Sequence, residues 1–191
     1  MKKIVYILSI LILLTSCFGG RSKPSNFYNL VATETNILNN KIKLSIGIEP
    51  VNLPSYLDRS EIITIKNNGT EINISDFNRW ADTLSTAIQR VLIQDMSILL
   101  PKSIIKASTF TKSQFNYIIV ISINKLEAKF NDKAYLDAYY DIYNKNGKSI
   151  IRERITLETT ILDTYSDLAQ KYSILLSQLS QKIAIKIIKL K

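Results

Sequence analysis

The chain opens on an apolar run from Ile4 to Leu14, preceded by Lys2 and Lys3. Its eleven residues are too few for a bilayer-crossing helix, which needs about 20. The order of basic, apolar and then small residues is that of a cleavable export signal. Further on the pattern turns to period two: Ile42, Leu44, Ile46 and Ile48 alternate with Lys41, Lys43, Ser45 and Gly47, which predicts a strand with one buried face. Residues 26–30 and 61–66 read as further strands, and Asn67-Asn68-Gly69 as a hairpin turn returning through residues 70–74. Pro50 and Pro54 break the ladder between them and leave residues 53–59 as an irregular loop.

After Ser75 and Asp76 the spacing becomes helical. Phe77, Trp80, Ala81, Leu84, Ile88, Val91, Leu92 and Leu99 recur at three- and four-residue steps, predicting one long amphipathic helix capped by Ser75 or Asp76 and ended by Pro101. Trp80, the only tryptophan, falls on that stripe and is expected to be buried against a sheet. Residues 117–125, residues 135–143 and a strand with Ile151, Ile155, Leu157 and Ile161 inward form an antiparallel meander, its last turn at Asn144-Lys145-Asn146-Gly147. A second helix over residues 166–189 carries Leu168, Tyr172, Leu175, Leu176, Leu179, Ile183 and Ile187 on one face, with Lys182, Lys186, Lys189 and Lys191 toward its C-terminal end, where the helix dipole favours cations. The expected fold is α+β, one antiparallel sheet covered by two long amphipathic helices in a single domain.

Chemistry changes this picture at one place above all. Leu14-Thr15-Ser16-Cys17 looks like the lipobox of bacterial lipoproteins, in which the cysteine receives a diacylglyceryl group and becomes the new N-terminus. Cys17 is the only cysteine, and an unpaired thiol is otherwise out of place in an exported protein. The expected organisation is a signal over residues 1–16, a lipidated tether over 17–25 and a domain over 26–191, held to a membrane by acyl chains. Phe18, where an aspartate would favour retention in the inner membrane, points by analogy to the outer one. The formal charge of +9, less Lys2 and Lys3, leaves +7 on the mature chain, suited to an anionic surface or acidic partner; nucleic acid is not expected for a lipid-anchored exported protein. With no histidine, the commonest general base and metal ligand are missing, and no metal or cofactor is expected beyond the lipid on Cys17.

Two stretches stand out as partner-binding candidates. The loop 53–59 presents Tyr56 and Arg59, residue types favoured at binding hot spots. The outer face of the middle meander strand alternates Tyr135, Asp137, Tyr139, Asp141 and Tyr143, readable as an ordinary solvated sheet face or as a contact surface.

Phe27-Tyr28-Asn29-Leu30, then Val51-Asn52-Leu53-Pro54-Ser55-Tyr56-Leu57-Asp58-Arg59, then Phe77-Asn78-Arg79-Trp80-Ala81-Asp82-Thr83-Leu84 resemble the ABC-type transport auxiliary lipoproteins, the PqiC-like family. The later meander and the closing helix are similar too; one departure is Tyr139-Tyr140, where family members often carry a tryptophan. The resemblance implies a non-enzymatic subunit of an envelope lipid-transport system, on the periplasmic face of the outer membrane, working with ABC permease or MCE-domain subunits and able to form a homo-oligomeric ring. The opposing readings are an envelope serine hydrolase and an assembly-chaperone lipoprotein. Against the hydrolase stand the absent histidine, the absence of a Gly-x-Ser-x-Gly elbow and only five glycines; a serine–lysine pair stays open.

Overall fold

The computed structural model describes residues 23–38, 43–66, 69–108 and 114–190; the signal, Cys17 and the turn residues Asn67 and Asn68 lie outside them. The chain runs β1 (Asn26–Tyr28), β2 (Ser45–Ile48), β3 (Glu61–Lys66), β4 (Glu71–Trp80), α1 (Leu84–Leu99), β5 (Ile104–Ala107), β6 (Tyr117–Ala128), β7 (Lys133–Asn144), β8 (Ser149–Thr160) and α2 (Tyr165–Ile188). A five-stranded sheet has the order β5-β2-β6-β7-β8, and a three-stranded sheet the order β1-β4-β3.

The α+β class and the meander are as expected, with β7 antiparallel to both β6 and β8. The purely antiparallel sheet is not: β2 lies parallel to β5 and to β6, and β1 parallel to β4. The reason is connectivity. After β2 the chain passes through β3, β4 and α1 before returning as β5, the long crossover that parallel pairing requires. β5 carries one buried residue, Ile105, too little to show as a period-two pattern.

The first helix also begins later than its spacing predicts. Residues 71–80 form β4, and α1 starts after the N-cap Thr83, so Ser75 and Asp76 do not cap it; Ser75 Oγ instead accepts the backbone N–H of Asn78 at 3.0 Å. Phe77, Trp80 and Ala81 fall on helical spacing by coincidence. The backbone here is engaged on both sides, by β3 and, at Asn78–Trp80, by β1, and that pairing overrides the local pattern.

α1 and α2 pack together on one face of the large sheet. Against them lie Leu136, Ala138, Tyr140 and Ile142 of β7 and Ile119, Ile121 and Ile123 of β6, all buried. Every stripe residue expected of α2, Leu168 through Ile187, is buried as well. Trp80 is in the core, 5% exposed, but reaches it from the end of β4, stacked on Tyr172 with ring centroids 6.1 Å apart. Among the described residues no helix is long and apolar enough to cross a membrane.

Candidate functional site: the open face of the large sheet

The strand period puts alternate residues of the meander on the face away from the helices. β7 contributes Tyr135, Asp137, Tyr139, Asp141 and Tyr143, and register places Arg154 of β8 opposite Tyr139 and Arg152 opposite Asp141. Arg154 reaches diagonally to Asp137 in a bidentate pair, Nε to Oδ1 at 2.8 Å and Nη2 to Oδ2 at 3.0 Å, while Asn124 donates to Asp137 Oδ2 at 3.3 Å. The Arg154 hydrogen bonds hold the Asp137 carboxyl below its usual pKa, outweighing the effect of burial. Both guanidinium groups lie 5.7 Å from the centroid of the Tyr139 ring, within cation–π range. Tyr139 is thus the centre of a charged and aromatic patch in which Arg154 is already oriented by Asp137.

Two clefts flank this centre. One, about 460 Å³, lies between the β3–β4 hairpin, at Ile65 and Gly69, and the sheet face at Lys125, Glu127, Tyr135 and Arg154. Lys125 faces it because the β6–β7 register shifts between Ile123 and Lys125, and such a bulge re-aims the side chains beside it. The other, about 320 Å³, is lined by Tyr143, Glu49, Val120 and Lys145. The three candidate tyrosines therefore share one face but serve different parts of it: Tyr135 and Tyr143 edge the clefts and Tyr139 stands between.

The loop 53–59 meets this face at Glu127. Tyr56 Oη donates to Glu127 Oε1 at 2.7 Å, and burial, reinforced by that carboxylate, raises the tyrosine pKa above its ordinary value. Arg59 Nε donates to Glu61 Oε2 at 3.0 Å. Asp58 accepts the Ser85 N–H at 3.1 Å and its hydroxyl at 3.2 Å, so the loop satisfies a donor at the start of α1 that the Thr83 side chain leaves uncapped. Sequence reasoning missed Arg152, Arg154, Lys125 and Glu127. Glu127 is 71 residues from Tyr56, and only the strand registers bring the rest together. No cluster of three or more metal-ligating side chains occurs among the described residues.

These features define an α+β domain on a mixed sheet with one helix-covered and one open polar face. Residues 28–184 match the family of ABC-type transport auxiliary lipoprotein components, and the chain belongs to that family. Among solved structures it is similar to the crystal structure of an uncharacterized protein, with 17% identity and a TM-score of 0.71 over 86% of this chain and 99% of the other. It is also similar to a Xanthomonas campestris protein, with 10% identity and a TM-score of 0.66 over 83% and 91%. Both likenesses concern the fold. No curated protein matches the chain.

Proposed function

We propose that the protein is anchored through Cys17 to the periplasmic face of the outer membrane and serves as a non-enzymatic accessory subunit of an ABC- or MCE-type lipid-transport system, holding partner chains against the open face of the large sheet. Family membership over residues 28–184 carries this reading. The chemistry of the face supports the contact: tyrosine and arginine dominate binding hot spots, and side chains already fixed by neighbours lose less freedom on binding. A histidine-free chain supports a holding role over a catalytic one.

The test is recovery of the lipoprotein from native envelopes in mild detergent. A permease, an ATPase or an MCE-domain chain should co-purify in fixed proportion, and Cys17→Ala should abolish detergent-phase partitioning and that recovery together. Labelling of the purified protein by a serine-reactive probe, with no transport component recovered, would overturn the reading in favour of a hydrolase.

A further inference from the structure

One end of the molecule gathers four lysine-bearing segments around the start of β6. Ser45 pairs with Ile104, Ile46 pairs with Tyr117, and Tyr117 pairs with Asn144; the last turns of α2 arrive beside them, Lys186 meeting Glu153 of β8. The segments 43–45, 100–106, 144–150 and 182–190 hold eight lysines and no aspartate, glutamate, arginine or aromatic residue, and the start of β6 between them adds Asn116 and the half-buried Tyr117. Of these lysines, Lys186 alone makes an ion pair among the described residues. Between them stand exposed isoleucines, Ile104 at 57%, Ile185 at 41% and Ile150 at 37%.

At the opposite end, Tyr28 of β1 lies 6.1 Å from Tyr165, the first residue of α2. Charge there is balanced, Arg59 pairing with Glu61, Lys129 with Asp132 and Lys171 with Asp167. The N-terminal tether therefore enters at the balanced end, and the 24 residues of α2 separate it from the lysine end by about 36 Å. The eight residues between Cys17 and Asn26 reach at most about 30 Å.

We infer that the lysine end is a docking surface for an anionic phospholipid bilayer other than the one that holds the anchor. The inference rests on the proposed function only for the lipid on Cys17. Lysine is depleted at protein–protein contacts, where arginine and aromatic residues are enriched, whereas lysines interspersed with exposed aliphatic side chains suit an anionic headgroup surface. The separation from the tether directs this end away from the anchoring membrane.

The test uses the lipidated protein reconstituted into phosphatidylcholine vesicles and mixed with labelled vesicles containing phosphatidylglycerol. Capture of the labelled vesicles is expected, with capture of pure phosphatidylcholine vesicles at background and a decline as salt rises. Lys148→Glu, Lys182→Glu and Lys189→Glu together should reduce capture at least tenfold with an unchanged thermal midpoint. Absence of capture, or capture indifferent to charge reversal, overturns the inference. If the triple variant instead loses co-purification of a transport component while neither protein captures vesicles, the end is an acidic-protein contact and the proposed function stands without it.

Discussion

Trp80 occupies the last position of β4, its N–H donating to the Ser60 carbonyl at 2.7 Å and its ring lying on Tyr172, whose hydroxyl donates to the Leu126 carbonyl at 3.1 Å. Small sheet, α2 and β6 are joined through these two side chains. Trp80→Ala should cost about 3–5 kcal/mol through lost burial and a cavity, read from urea unfolding. A loss under about 1 kcal/mol, or wild-type fluorescence readily quenched by iodide, would place the ring outside the core. The burial of Trp80 was expected from a helical stripe that it does not belong to; a strand carries it into the core instead. Tyr56 and Arg59 teach the same limit, since residue type marked them as contact-prone while their partners, Glu127 and Glu61, became visible only through the fold.

The segment 30–36, which links β1 to the stretch before β2, is held across both helices by side chains rather than by strand pairing. Asp95 Oδ1 on α1 accepts the N–H groups of Thr33 and Glu34 at 3.1 and 3.0 Å, and Ser173 Oγ on α2 accepts that of Val31 at 3.2 Å. Glu34 Oε2 accepts from Ser177 and Gln181 of α2. Burial raises the Glu34 pKa, but hydrogen bonds from Asn36, Gln181, Thr35 and Ser177 outweigh it and hold the carboxyl below its usual range. At Asp95 burial prevails over its two hydrogen bonds and, with the Glu34 charge, pushes the pKa up to about 6; its Oδ2 has no partner. With the folded pKa raised above the ordinary 3.8, the native state binds more protons than the unfolded state between those values, so this group's contribution to stability is present at low pH and is lost as pH rises through about 6. Asp95→Asn removes that loss. Relative to wild type its stability should climb by about 1–3 kcal/mol between roughly pH 4 and pH 7; a difference flat with pH would contradict the account. An acidic residue on a helix stripe gave no sign of this role. The helix α2 itself was legible almost to the residue, because its repeat runs uninterrupted over six turns' worth of buried positions, whereas the start of α1 was masked by the chance helical spacing of β4.

Across the whole molecule, the meander could be read from alternation and turn residues, since antiparallel neighbours are adjacent in sequence. The parallel pairs could not, because nothing local records that Ser45 will lie beside Ile104 or Asn26 beside Asn78. The candidate face was legible in half: β7 advertised its tyrosines and aspartates, while Arg152 and Arg154 sit on a strand that the alternation marked only by its inward residues. The accessory role depends on that face meeting another chain. The most direct measurement is photo-crosslinking in intact envelopes, with a benzoylphenylalanine at Tyr139 and, as control, at Ile98, an exposed position on α1. Adducts with a transport-system component at position 139 and their absence at position 98 are the predicted result. Equal adducts at both positions, or none at 139 while the protein still co-purifies with its partners, would show that the open face is not the contact.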